Sequence, residues 1–185
     1  MSSDPERIRV LVPLAQGAEE LEAVTIIDLL RRAGFAVLVA GLEAGPVTCS
    51  RRTVILPDCA LEDVMQDRFD LVVLPGGLPG ADHLRDDARV QSLVRQQADG
   101  GRLIGAICAA PKALASAGVL EGRRVTSYSG ALDASGTLST GAPVEVDGGV
   151  VTGRGPGVAM DFALTLIEQL AGTEARRNVE GPLLR

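Results

Sequence analysis

At 185 residues, 46% apolar and with 22 glycines spread along its length, the chain can bury one sizeable core and is too hydrophobic for a disordered segment. A net charge of −6, 2% aromatic residues and no tryptophan leave neither a basic stripe for phosphates nor stacking platforms for bases, so nucleic acid is not an expected partner. Met1 to Arg7 shows no basic or apolar leader pattern, and the apolar stretch Leu103 to Leu120 is broken by Pro111, Lys112 and Ser116, so neither a signal peptide nor a membrane span is expected. Three cysteines, Cys49, Cys59 and Cys108, make neither an even disulfide set nor a C-x-x-C pattern. Free thiols in a reducing cytoplasm, with no metal and no cofactor, are the expectation.

In chain order, Ile8 to Ala15 is an apolar run interrupted only by Arg9 and Pro13, which predicts a strand buried on both faces of a parallel sheet. Glu19 to Ala33 has helical periodicity and ends at Gly34. Phe35 to Gly41, Phe69 to Pro75 and Arg102 to Ile107 read as further strands, and Leu84 to Ala98 as a polar-faced helix. A small-residue helix is expected over Ala109 to Ala117. Arg123 to Tyr128, Val144 to Val146 and Val150 to Thr152 follow as strands, the last two joined at Gly148-Gly149. A final helix spans Val158 to Ala171. Glu43 to Pro57 is expected to hold a short hairpin, and Gly130 to Pro143 a low-complexity loop. The alternation predicts a single α/β domain with a doubly wound, mostly parallel sheet and helices on both faces, of the flavodoxin-like kind.

In such a fold ligands bind at the carboxyl ends of the strands. The predicted strand ending at Ile107 delivers the chain to Cys108, and a helix opens directly after it. Small residues, Ala106 and Ala110, flank the cysteine as they do the nucleophile of a strand-to-helix elbow. Placed at a helix start, the thiolate is expected to be stabilised and the pKa lowered. The alternative is a small buried hydrophobe, the usual place of a free cysteine. At about 100° per residue, Glu22 falls on the apolar arc of its helix with Leu29, Ala33, Ile26 and Leu30. A carboxyl facing the core costs several kcal/mol unless it is paired or protonated, which either marks a functional acid or means that this first turn frays into solvent. Glu19 and Glu20 fit the solvent-facing account better. Pro75, Gly76 and Gly77 close a strand and could offer backbone N–H groups to a reacting oxygen. Gly153-Arg-Gly-Pro-Gly157 could cradle an anion. His83 is the only histidine and reads as a surface loop residue, which leaves no Cys/His pair for acyl transfer.

On the signatures Gly17-Ala-Glu-Glu-Leu-Glu22, Val47-Thr-Cys-Ser-Arg51, Val72-Val-Leu-Pro-Gly-Gly77, Ala106-Ile-Cys-Ala-Ala-Pro111 and Arg154-Gly-Pro-Gly157, in their order and spacing, the chain resembles the ThiJ/PfpI superfamily. Within it the likeness is to the DJ-one branch, that of the Parkinson-disease protein deglycase. The resemblance implies a reactive Cys108 with Glu22 as its partner acid, backbone donors at Gly76, Gly77 and Ala109, and anion-holding arginines at Arg51 and at Arg32 of a second subunit. It further implies a homodimer with Pro156 and Pro182 near pockets at the interface. Where many animal members carry a histidine this chain has Tyr128, and where the peptidase-like branch has histidine directly after the cysteine it has Ala109. The implied activity is a cofactor-independent glyoxalase or deglycase acting on small dicarbonyls such as methylglyoxal or on their glycation adducts. The competing implication is a redox sensor or stress chaperone in which Cys108 is oxidised to the sulfinate. The inherited labels of thiamine-precursor (hydroxyethylthiazole phosphate) biosynthesis and intracellular protease find less support in these residues.

Overall fold

The computed structural model describes residues 7–185, so all but the end of the leader reading at Met1 to Arg7 lies outside the described residues. Seven strands form one sheet. In chain order these are β1 (Arg9–Leu14), β2 (Ala36–Gly41), β5 (Cys59–Ala60), β6 (Leu71–Leu74), β7 (Leu103–Ile107), β8 (Val144–Asp147) and β9 (Val150–Gly153), while β3 (Val47–Thr48) and β4 (Val54–Ile55) make a separate hairpin. The sheet order is β5-β2-β1-β6-β7-β9-β8, parallel throughout except for the β8–β9 pair. The helices are α1 (Glu20–Arg32), α2 (Gly80–Asp86), α3 (Ala88–Asp99), α4 (Pro111–Ser116) and α5 (Ala159–Glu180).

Strand periodicity divides the core in two. Leu11, Val72, Leu74 and Ile104 point to one face and pack with Leu84, Leu93, Val94 and Leu114 of α2, α3 and α4. Val10, Val12, Val73 and Ile107 point to the other face and meet Ile26 and Leu30 of α1 and Phe162 and Leu166 of α5. Both faces of the central strands are thus covered, which is why their sequences are continuous apolar runs instead of alternating ones. From β1 the chain goes to β2 on one side and later to β6 on the other, so the order reverses between β1 and β6. That reversal opens a crevice beyond the strands' carboxyl ends, and the loops after β1, β6 and β7 meet there.

Three expected elements differ. Arg123 to Tyr128 is no strand: its one bridge joins Val125 to Ser139. The Thr126 N–H instead donates to Thr152 Oγ1 and the Ser127 N–H to Ser139 Oγ, so side chains take the place of a ladder. The helix expected over Leu84 to Ala98 is two helices, because the Asp87 carboxylate accepts from the Arg89 and Val90 N–H groups and starts α3 afresh. The last helix extends to Glu180, across a break at Gly172 where φ is 84°.

Candidate active site

Cys108 sits directly after β7 with φ at 61°, a left-handed conformation that costs a non-glycine residue roughly 1–2 kcal/mol. Both of its backbone groups are fastened to neighbouring segments. Its N–H donates to the Gly153 carbonyl at 2.9 Å, and its carbonyl accepts from the Tyr128 N–H at 2.8 Å. The elbow is therefore held by β9 on one side and by the segment after Arg123 on the other, and the strain is balanced by two hydrogen bonds. This turn presents the thiol to the crevice while leaving it only 8% exposed.

Glu22 meets the thiol from α1. Its side chain is fully buried, as the helical arc requires, and Oε2 accepts the Gly76 N–H at 2.8 Å. Oε1 is buried with no hydrogen-bond partner, and the carboxyl lies beside the Cys108 side chain, both meeting at Gly76. Burial pushes the Glu22 carboxyl up to about 7, against the pull of the Gly76 N–H. The thiol itself is pushed up to about 12, by burial first and by the Glu22 carboxylate second, while the N–H groups of Gly77 and Ala109 pull it down. This reverses the lowered pKa expected from a helix start. The cause is visible in the chain: α4 begins at Pro111, three residues beyond Cys108, and has six residues, so the thiol meets two loop N–H groups in place of a long helix terminus. The opposing charge belongs to Glu22. When that carboxyl is protonated its repulsion disappears, and the two backbone donors face the sulfur alone. The two groups therefore titrate as a pair, holding one proton between them over the range between about 7 and about 12.

Two glycines make the approach possible. A Cβ on Gly76 would lie 2.7 Å from both Cys108 Cβ and Glu22 Oε2, and one on Gly77, whose φ is +92°, would lie 2.3 Å from the Glu19 nitrogen. Gly76 therefore anchors the acid, while Gly77 and Ala109 serve the sulfur; the sequence alone did not separate these tasks. Glu19 and Glu20 do not fray either. The Ser50 hydroxyl donates to both carboxylates, and the Arg51 and Thr53 N–H groups donate to Glu20. Although burial raises it, these backbone donors and that of Glu20 itself bring the Glu20 carboxyl down to about 2.

Of the remaining residues, Tyr128 lines a cavity of about 440 Å³ with Pro156 and Arg154. Pro182 is exposed just after α5. Arg51 is exposed in the loop between β3 and β4, and Arg32 pairs with Asp28 near the far end of α1. His83 lies in α2, and its Nδ1 is 3.1 Å from the Gln16 carbonyl. Among the described residues no group of three or more His, Cys, Asp or Glu is placed to hold a metal, and no helix is long and apolar enough to cross a membrane.

The three thiols are in different surroundings. Burial, then Glu20 and Glu19, push Cys49 up to about 11, and burial with Asp63, Asp58 and Asp67 raises Cys59. Neither has an acid that can exchange a proton with it and backbone donors to receive the charge. Mild peroxide is accordingly expected to add two oxygens to Cys108 before Cys49 or Cys59 reacts appreciably. Peptide mass spectrometry showing equal or earlier oxidation of Cys59 would contradict this.

A doubly wound sheet with a left-handed cysteine after a central strand, and a buried glutamate from the helix after β1, defines a cysteine-elbow α/β protein. The chain belongs to the DJ-1/PfpI family, whose model matches residues 8–169. It is 46% identical to the zebrafish Parkinson disease protein 7 homolog, over 95% of this chain and 96% of that one. It is 36% identical to a Caenorhabditis elegans protein named glutathione-independent glyoxalase DJR-1.2, over 94% of each chain. The fold is similar to that of oxidized Toxoplasma gondii DJ-1, with a TM-score of 0.91 at 37% identity, covering 96% of this chain and 98% of that one.

Proposed function

We propose that the protein is a cytoplasmic glyoxalase or deglycase that works through Cys108 and Glu22 without a cofactor. The observation that carries this reading is the closeness of a fully buried carboxyl to the elbow cysteine, Glu22 Oε2 and Cys108 Cβ both lying 2.7 Å from where a Cβ on Gly76 would stand, because it brings nucleophile and proton carrier to one point. The thiolate adds to the aldehyde carbon of methylglyoxal, and Glu22 gives its proton to the forming alkoxide, which makes a hemithioacetal. As a carboxylate, Glu22 then takes the proton from the former aldehyde carbon and returns one to the adjacent carbon through an enediol, leaving a lactoyl thioester. Water cleaves the thioester to lactate and restores the thiol. The N–H groups of Gly77 and Ala109 stabilise the sulfur whenever it is charged. In the deglycase form the thiol displaces the amine from the hemiaminal carbon of an early glycation adduct, the C–N bond breaking as Glu22 protonates the leaving nitrogen, and the hemithioacetal so formed follows the same rearrangement and hydrolysis.

The active form is a homodimer. Leu21 and Val24 of α1 are each about half exposed, Val54 of the neighbouring hairpin and Leu56 just after it are more so, and Ile55 of that hairpin joins a cluster that includes Ile27 of α1. A second copy would cover this apolar face. The name of the worm relative supports the enzymatic reading. Incubating the purified protein with methylglyoxal and identifying the products tests it. Lactate formed in many-fold excess over protein is the expected result. Modification of Cys108 that stops at one equivalent would instead favour the redox-sensor reading.

A further inference from the structure

We infer that Arg154 forms an anion subsite beside the elbow, so that the preferred substrate is a dicarbonyl carrying a carboxylate or phosphate. This rests on the glyoxalase reading and names its substrate class. Arg154 follows Gly153, whose carbonyl holds the Cys108 N–H, and Tyr128 holds the Cys108 carbonyl. Tyr128 and Arg154, the residue after Gly153, line a cavity of about 440 Å³ together with Ser129 and the segment Gly155 to Val158. The Tyr128 ring closes against Gly155, where an added Cβ would be 3.6 Å from Cδ2.

Arg154 is the one charged side chain on that lining, and it takes part in no ion pair among the described residues. Its Nη1 donates to the Gly141 carbonyl at 3.1 Å, a contact that positions the guanidinium without neutralising it. It lines a second cavity as well, next to Ser127, Ser139 and Asp133, and no ion pair joins it to Asp133. An exposed guanidinium with no ion-pair partner among the described residues is suited to a carboxylate or phosphate because its fork of donors matches either anion. The arginines expected from sequence are placed differently in this chain. Arg32 is committed to Asp28, and Arg51 is on none of the cavities that adjoin Tyr128.

The test compares three α-oxoaldehydes: neutral methylglyoxal, 4,5-dioxopentanoate with its carboxylate, and phosphohydroxypyruvaldehyde with its phosphate. Wild-type protein is expected to favour at least one anionic compound by roughly tenfold or more in kcat/KM, and the two anionic arms show which group the subsite prefers. Arg154→Gln should bring that ratio toward one, chiefly through KM, and Arg154→Lys should restore part of it. Independently of turnover, inorganic phosphate should slow alkylation of Cys108 by iodoacetamide saturably in the wild type and not in Arg154→Gln. Turnover whose preference is the same in wild type and Arg154→Gln, with phosphate equally effective on both, overturns the subsite and leaves the glyoxalase reading intact. Protection lost in Arg154→Gln, in a protein that turns over none of the three compounds, upholds the subsite and overturns the glyoxalase reading.

Discussion

Glu22→Gln is expected to lower dicarbonyl turnover by roughly 100-fold or more, the loss typical of removing a positioned proton carrier. The amide keeps the size of the side chain and an oxygen for the Gly76 N–H, so the elbow stays in place and only the exchangeable proton is lost. Unfolding is not the cause of this loss. The folded-state value of about 7 lies above the ordinary 4.5, so the folded protein holds this proton more tightly than the unfolded chain does. The associated stabilisation is complete below the unfolded value and is lost as pH rises to about 7. Above that, the wild type carries a buried carboxylate that the glutamine variant lacks. Thermal denaturation at pH 8 should therefore find the variant at least as stable as the wild type while its turnover is nearly gone. Unchanged turnover would return Glu22 to a purely structural role.

Gly76→Ala is expected to damage both stability and chemistry. The new methyl would press on Cys108 Cβ and Glu22 Oε2, each at 2.7 Å, and on the Ile107 carbonyl at 2.9 Å. Cys108 Cβ and the Ile107 carbonyl belong to the elbow itself, so the part that can give way is the Glu22 carboxyl, fully buried and held by the Gly76 N–H, and the acid must move away from the elbow. Overpacking of this kind costs about 1–3 kcal/mol, and in a chain of this size each kcal/mol moves Tm by about 2–4 °C. A drop of several degrees, together with loss of most turnover in the protein that remains folded, is the expected pair of results. A variant that kept wild-type Tm and turnover would show that the contact between Glu22 and Cys108 is not needed.

Much of this site was legible in the amino-acid order. The apolar arc of α1 located Glu22 because a helix fixes which residues share a face, and burial of that carboxyl is what the structure shows. Small residues around Cys108 announced the turn, and its φ of 61° bears that out. What could not be read depended on groups distant in sequence. The β-branched pattern of Arg123 to Tyr128 suggested a strand, but the polar Thr126 and Ser127 are taken up by Thr152 and Ser139. The fastening of Cys108 by Gly153 and Tyr128 uses main-chain groups, which leave no trace in residue type. The direction of the thiol's pKa differs from the helix-start expectation for a related reason: helix-start logic is local, whereas the thiolate is opposed by burial and then by the Glu22 carboxylate on α1.

The central claim is that Glu22 and Cys108 hold one proton between them near neutral pH, and the rate of Cys108 alkylation by iodoacetamide as a function of pH tests it most directly. For the wild type the rate is expected to stay low from pH 7 to well beyond the range of an ordinary thiol, because above about 7 the Glu22 carboxylate opposes the thiolate and the proton the pair retains is not lost until near 12. Glu22→Gln should remove that opposing charge and react at lower pH than the wild type, with a single thiol titration. A wild-type rate that climbs through pH 8 to 9 as an ordinary thiol does, and is unaltered by Glu22→Gln, would contradict the shared proton and with it the account of how the elbow works.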